Sequence, residues 1–340
     1  FIQTYMKETR IWIVADRQYR GYERLRVKIM KISELLQRID YTVLQGDLSE
    51  EITGICHDNR MLQKGDAFIC ISGARFDTHT MAGELAKKAA LLVVEKPVEL
   101  DADCKTAVVQ VASTRDIVAA LAAAFYGYPS EKVVCIGITG SKGKTTCTHM
   151  MADILRAAGY LTGTIGTNGA IMPAGCDHAV WGSDKYSCAP CNETPGYDCY
   201  ELNNTTPDPM ELQMYLAMMV KAGCTHVVLE VSSQGMKQKR VATVDFAYAV
   251  WTNIETGDHI GPNEHKDFEE YLYCKAMLLN QSRRAYVNCD DRHLDAFMKY
   301  VTLSDGSDGR TKQVFYYGEG EKADYRIGNL KKSQNGVLEA

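Results

Sequence analysis

The chain has no apolar run long enough to cross a bilayer: the longest, Ile117 to Tyr126, covers 10 of its 340 residues, where a membrane helix needs about 18 or more. No membrane partner is expected. It also lacks an excess of positive charge. A formal net charge of −5 provides no broad basic face for nucleic acid, so any anionic ligand has to be captured by a local site. The N-terminal stretch lacks the apolar segment and small-residue cleavage site of a secretory signal, and no internal repeat is visible along the chain. What is present is average: 46% hydrophobic and 24% charged residues describe a globular chain and exclude disordered, collagen-like and coiled-coil classes. At roughly 150 residues per domain the length predicts about two domains, each able to bury a core. Without a secretory signal, the 12 cysteines are expected to be mostly reduced and buried.

Residues 1–29 differ from the rest. Lys7, Arg10, Arg17, Arg20, Arg24, Arg26 and Lys28 stand there against Glu8, Asp16 and Glu23, which leaves the remainder at −9. This reads as a basic N-terminal extension ahead of a natural start at Met30, or alternatively as a basic docking arm. Beyond Met30, short β-type runs alternate with helical stretches, the pattern of an α/β fold with parallel strands. Strands are expected at Ala67–Ile71, Ala90–Glu95, Val133–Ile138, His226–Val231 and Phe246–Asn253, and helices at Met81–Ala89, Arg115–Phe125, Thr145–Ala158 and Thr206–Gly223. Gly127-Tyr-Pro-Ser130 breaks the pattern and places a boundary between a first domain, 30–128, and a second, 129–340.

The strongest chemical signal is Gly137-Ile-Thr-Gly-Ser-Lys-Gly-Lys-Thr-Thr146, between a buried strand and an amphipathic helix. Glycines let backbone amides converge on phosphate oxygens, and the helix N-terminus adds positive potential. Lys144 can then reach the β and γ phosphates and Thr145 can ligate Mg²⁺. Gly140, Ser141, Lys142, Gly143, Lys144, Thr145 and Thr146 are the candidate ATP-binding residues. The spacing departs from the general phosphate loop, since its first glycine is Gly137 rather than residue 138. Glu230, closing the apolar run His226-Val-Val-Leu-Glu, is a hard carboxylate at a strand end, suited to Mg²⁺ facing the loop.

The loop variant T-G-x-x-G-K-T-T resembles that of the Mur ligase family and its relative folylpolyglutamate synthetase. Asn204-Thr-Thr-Pro-Asp208, Glu230-Val-Ser-Ser-Gln-Gly-Met-Lys-Gln-Lys-Arg240, Thr252-Asn253, Asp258-His259 and Tyr271-x-x-x-Lys275 are similar to segments of the branch that adds the third amino acid to the peptidoglycan precursor. In the first domain Asp58-Asn-Arg60, Gly65-Asp-Ala-Phe68 and Asp77-Thr-His79 extend the likeness. It implies a uridine-nucleotide-binding α/β domain followed by a parallel-sheet phosphate-loop ATPase domain. The activity it implies is ATP-dependent addition of meso-diaminopimelate or L-lysine to UDP-N-acetylmuramoyl-L-alanyl-D-glutamate through an acyl phosphate, in a bacterial cytoplasm. By the same resemblance Asn253 contacts ATP, and His259 is a ligand of a second Mg²⁺. Lys275 is the lysine carbamylated by CO₂. Asn59, Asn204, Thr205, Thr206, Ser232, Gln238 and Arg240 contact the precursor, and a guanidinium at Arg240 suits bidentate capture of an anion.

Three positions depart from the family pattern: Gln234 stands for a histidine, Asn59 for a serine and Thr78 for a glycine, each keeping or adding a hydrogen-bonding side chain. The segment with Cys176, His178, Cys188, Cys191 and Cys199 has no counterpart in the pattern. Cys188-Ala-Pro-Cys191 has thiolate spacing that could hold Zn²⁺ together with Cys199 and either Cys176 or His178; a hairpin with incidental thiols or a disulfide is the other reading, and the favoured one. Family members carry a third, C-terminal domain that closes over ATP and recognises the incoming amino acid. The sequence ends at Ala340, inside the second, so that domain is expected to be absent. The competing readings are a folylpolyglutamate synthetase-like ligase, a nucleotide-binding chain without turnover, and a phosphate-loop kinase.

Overall fold

Alternating apolar strands and amphipathic helices generate two separate sheets in the computed structural model. It describes residues 29–73, 76–174, 195–257, 259–262, 264–302, 313–328, 331–332 and 338–339. These group into two compact units. One holds the described residues up to Pro129 together with Ala174 and Asp208–Ala222; the other holds the rest.

In the first unit β1 (Met30–Lys31) leads into the short helix α1 (Ile32–Leu35) and pairs with β3 (Glu51–Ile52). Strands β2 (Thr42–Gln45), β4 (Gly54–Cys56), β5 (Asp66–Ile69), β6 (Leu91–Val94) and β7 (Ala107–Gln110) form a sheet of order β2-β7-β6-β5-β4, parallel except for the antiparallel edge β2. Every side chain of β6 is buried, because the two faces of the strand meet different cores. Leu91 and Val93 pack with Leu121 and Phe125, whereas Leu92 and Val94 pack with Leu85 and Ala86. Those partners come from α3 (Thr114–Phe125) and α2 (Ala82–Ala86). The helix expected over Met81–Ala89 is shorter, a 3₁₀ turn at Thr78–Met81 running into α2.

An ion-pair network closes the loop ends of β5 and β6. Asp77 accepts from the buried imidazole of His79 at 2.7 Å and pairs with Lys96, while the Glu95 backbone N–H donates to His79 Nε2 at 3.1 Å. The Lys96 ammonium, with His79 behind it, holds the Asp77 carboxyl at about 2 against an ordinary 3.8. A depressed carboxyl adds stability that is fully present above its unfolded value and is lost as pH falls through its folded one. Thermal unfolding followed from pH 5 down to about 2 should therefore show a shallower fall in midpoint for Asp77→Asn than for the wild-type chain.

The second unit is built on β8 (Val134–Thr139), followed by α4 (Lys144–Ala157), β9 (Thr162–Gly166), β10 (Gly169–Pro173) and β11 (Tyr197–Tyr200). After α5 (Pro209–Lys221) come β12 (His226–Glu230), α6 (Ser233–Lys237), β13 (Phe246–Trp251), α7 (Phe268–Gln281), β14 (Ser282–Asn288), α8 (Leu294–Met298), β15 (Gln313–Gly318) and β16 (Tyr325–Arg326). The sheet order is β11-β10-β9-β12-β8-β13-β14-β15-β16. Seven strands are parallel; β10 and β11 are antiparallel additions at one edge, which periodicity alone does not distinguish from parallel ones. Ile136 and Ile138 of β8 pack with Ala152, Met151 and Leu155 of α4, so the loop joining them is pinned at both ends. On β13, Trp251 stacks on Phe297 with ring centroids 4.0 Å apart.

Helix α5 lies between β11 and β12 in the chain but groups with the first unit, where Met210 packs into the core that holds Leu121 and Phe125. It starts at Pro209 rather than Thr206, because the Asp208 carboxylate accepts from the Met210 backbone N–H at 3.0 Å and Pro209 fits the first helical position. Asp208→Ala should cost about 1 kcal/mol of stability, read from the denaturation midpoint.

No helix among the described residues is long and apolar enough to cross a membrane. None of the nine cysteines among them is in a disulfide, and burial pushes the Cys70 and Cys135 thiols up to about 12. Cys176, His178, Cys188 and Cys191 lie outside the described residues. Cys199 is buried on β11, its thiol donating to the Asn168 carbonyl at 3.4 Å.

Candidate functional site

The loop 139–146 leaves the C-terminal end of β8, beside β12 on one side and β13 on the other. Gly140 carries φ 154°, and a Cβ there would lie 1.9 Å from Thr252 Oγ1. Only glycine fits without displacing β13's continuation. That continuation holds the loop along its length: Ser141 N–H donates to the Asn253 carbonyl at 2.9 Å, Lys142 N–H to Asn253 Oδ1 at 2.9 Å, and the Thr252 hydroxyl to the Lys142 carbonyl at 2.8 Å. Asn253 thus shapes the loop as well as lying beside it. Gly140→Ala should cost about 2–3 kcal/mol in strain and displacement, visible as a lowered unfolding midpoint together with weakened nucleotide binding.

Lys144 opens α4 and folds back on the loop, donating to the carbonyls of Gly140 at 2.8 Å and Ser141 at 3.2 Å. Lys275, on α7, donates to the same Gly140 carbonyl at 2.8 Å and is buried, its ammonium 4.6 Å from the centre of the Tyr271 ring. The Tyr271 hydroxyl meets Ser141 Oγ at 2.9 Å. Two lysines 131 positions apart in the chain therefore converge on one glycine carbonyl.

Thr145, next on α4, donates its hydroxyl to Glu230 Oε2 at 2.9 Å. Glu230 is 2% exposed at the end of β12. Thr206 is buried behind it: its hydroxyl donates to the Glu230 carbonyl at 3.0 Å and accepts from the Ser232 N–H at 2.9 Å. Ser232 caps α6, and Arg240 beyond that helix donates to the Thr206 carbonyl at 2.6 Å and to the Gln238 side chain at 2.7 Å. Thr205 is half-buried and Asn204 exposed on the same segment. Glu230, Thr205, Thr206, Ser232, Gln238 and Arg240 thus form one connected patch beside the loop. Asn59 sits in a 3₁₀ turn of the first unit, its amide 3.8 Å from Met81 Sδ.

His259 is held in the left-handed region with φ 58°, exposed, with Nδ1 3.2 Å from Glu264 Oε1 and its ring 5.9 Å from that of Tyr271. The partners of the Glu230 carboxylate are Thr145 and Thr167 instead. Sequence reasoning missed Thr167, which is ordinary in composition, and held Tyr271 only as part of the Tyr271-x-x-x-Lys275 likeness; the fold brings both to the site. His265 is fully buried, with Nδ1 3.5 Å from Glu270 Oε2. Burial first, and then the Lys237 charge, push its pKa down. Glu270 is held at about 2 by Lys237 and by the Lys266 N–H, so α6 and α7 are tied together through Lys237.

Among the described residues no group of three or more His, Cys, Asp or Glu is placed to hold a metal. A cation here would draw on the Glu230 carboxylate, the Thr145 hydroxyl and a ligand's phosphates, the sparse protein set that suits Mg²⁺. A buried carboxylate hydrogen-bonded to a phosphate-loop threonine fits that ion.

Residues 138–339 match the model of the Mur ligase middle domain. The chain belongs to the Mur ligase family. It is 35% identical over 319 residues to UDP-N-acetylmuramoyl-L-alanyl-D-glutamate--2,6-diaminopimelate ligase of Bacillus cereus, covering 91% of this chain and 57% of that protein. The ligase of the same name from Clostridium perfringens is 30% identical over 308 residues, 90% of this chain and 57% of its own length. A solved structure of a ligase of that name superposes with a TM-score of 0.67 at 22% identity, over 91% of this chain and 56% of that one. MurF from Acinetobacter baumannii superposes at 0.52 and 20% identity, over 87% and 55%. These two show a shared Mur ligase fold. The chain therefore spans a little over half the length of the curated relatives it matches.

Proposed function

We propose that this chain forms the precursor- and ATP-binding part of a ligase that adds a diamino acid, by preference meso-diaminopimelate, to UDP-N-acetylmuramoyl-L-alanyl-D-glutamate in a bacterial cytoplasm. The observation that carries the reading is the hydrogen bond from the Thr145 hydroxyl to the buried Glu230 carboxylate, with Thr206, Ser232 and Arg240 connected behind it. It puts the glycine-rich loop, a buried carboxylate suited to a cation and an arginine suited to an anion into one patch. The diaminopimelate ligases of B. cereus and C. perfringens supply the substrate class.

In this reading the loop amides and Lys144 cradle the ATP phosphates, Lys144 leaving the Gly140 and Ser141 carbonyls to do so. Mg²⁺ held by Thr145 and Glu230 would offset phosphate charge. Thr205, Thr206, Ser232, Gln238 and Arg240, with Asn204, hold the precursor's peptide end, while Asn59 in the first unit contacts its uridine. The precursor carboxylate oxygen attacks the γ-phosphorus and ADP leaves; the diamino acid's amine then attacks the acyl carbon and phosphate leaves. Positioning and charge neutralisation dominate such a transfer. Carbamylated Lys275 would present a carboxylate beside the loop, and His259 would ligate a second Mg²⁺ after parting from Glu264. The partners are then small molecules, with no nucleic acid or membrane among them.

The test is calorimetric titration of this chain with UDP-N-acetylmuramoyl-L-alanyl-D-glutamate and, separately, with a folate. Binding of the uridine precursor alone is the expected result. Binding of folate instead would move the assignment to a folylpolyglutamate synthetase-like ligase.

A further inference from the structure

Thr167 occupies the two-residue turn between β9 and β10, and nothing in the loop or the precursor motifs points to it. It nevertheless holds both oxygens of the Glu230 carboxylate. Its backbone N–H donates to Oε1 at 3.0 Å and its hydroxyl to Oε2 at 3.2 Å. The approach is built in, since a Cβ on neighbouring Gly166 would fall 2.2 Å from Glu230 Oε1. The turn itself is anchored to α4, where the Asn168 amide meets His149 Nε2 at 3.1 Å. From this geometry we infer that Thr167 is a positioning residue for the metal-binding carboxylate, an inference that rests on the metal role proposed for Glu230.

Proton accounting gives the contact a direction. A threonine hydroxyl has one proton and two lone pairs. The Thr167 proton goes to Glu230, so in the 3.1 Å contact between Thr167 Oγ1 and Thr205 Oγ1 the donor is Thr205. The relay runs Thr205 to Thr167 to Glu230. It leaves Thr205, on the precursor segment, presenting lone pairs, and so favours a hydrogen-bond donor from the ligand. The Thr145 bond to Glu230 is different in kind: a cation held by Thr145 and Glu230 would displace it. The Thr167 N–H bond goes to the other oxygen, Oε1, and its hydroxyl bond takes one lone pair of Oε2 and leaves a second open, so both can keep the carboxylate aimed once Thr145 has turned away. Removing hydrogen-bonding partners that orient a metal ligand typically weakens metal binding about 10- to 100-fold.

The experiment uses this chain with a non-hydrolysable ATP analogue, reading the Mg²⁺ concentration that half-saturates analogue binding. Thr167→Val keeps the shape and the backbone N–H while losing the hydroxyl. It should raise that concentration about tenfold and weaken the uridine precursor severalfold, while Thr167→Ser restores both. Glu230→Gln serves as the reference for the metal site. A wild-type Mg²⁺ dependence in Thr167→Val alongside an altered one in Glu230→Gln overturns the role of Thr167 alone. Unaltered dependence in both overturns it together with the metal role of Glu230. A serine variant as weak as the valine one also overturns it, even where valine perturbs folding, because serine retains the hydroxyl.

Discussion

Lys144→Ala is expected to weaken ATP binding by about a hundredfold while leaving the chain folded. Hydrogen bonds from an ammonium to phosphate are worth about 1.5–3 kcal/mol each, and about 1.4 kcal/mol is a tenfold change in affinity. The Gly140 carbonyl keeps a donor in the variant, since Lys275 holds its own bond to it. The N-terminal end of α4 keeps its amides, so residual phosphate affinity should persist. Calorimetric titration with ATP and Mg²⁺, paired with a thermal scan, separates the two effects. Unchanged affinity would remove Lys144 from the phosphate site.

The second large effect belongs to Lys275. In a protein of the full length of the diaminopimelate ligases, Lys275→Ala should cut ligation by about a hundredfold or more, the range for losing one preorganised charge at a transferring group. High concentrations of a small carboxylate such as formate should restore part of it, because truncation opens space beside Gly140 and Tyr271 where that anion can stand in for the carbamate. Lys275→Met is the informative companion. It fills the same buried volume, so it should fold well and yet resist rescue. Comparison with alanine is direct: full activity in either variant would end the role assigned to Lys275, and equal rescue of both would place the anion elsewhere. Wild-type activity should also fall in CO₂-depleted buffer and return with bicarbonate, as carbamate formation joins the lysine nitrogen to CO₂ with loss of a proton.

Much of the candidate nucleotide site was legible in the sequence because its signals are local. An apolar run, a glycine turn and a helical period lie within residues 133–158, and the structure places β8, the loop and α4 there. Glu230 was legible as the polar end of an apolar strand. The helix starting near Thr206 was legible too, but its first residue was not, since a proline pair reads alike on either side of a cap; Asp208 decides it.

What the residues determined by themselves is the chemistry on offer: a glycine-rich loop, a cation and a hydroxyl at the head of a helix, and an α/β alternation with two cores. These depend on steric freedom and on periods of about two and about 3.6 residues, which are properties of neighbours in the chain. Tertiary structure alone decided which distant groups share a site. Strand order placed β12 and β13 on either side of β8 and so delivered Glu230 and Asn253 to the loop. The approach of Gly166 to Glu230 put Thr167 beneath the carboxylate, and the packing of α7 carried Tyr271 and Lys275 to Gly140. Hydrogen bonds spanning more than a hundred residues leave no periodic trace, because a sheet sets its neighbours by register and close packing rather than by separation along the sequence.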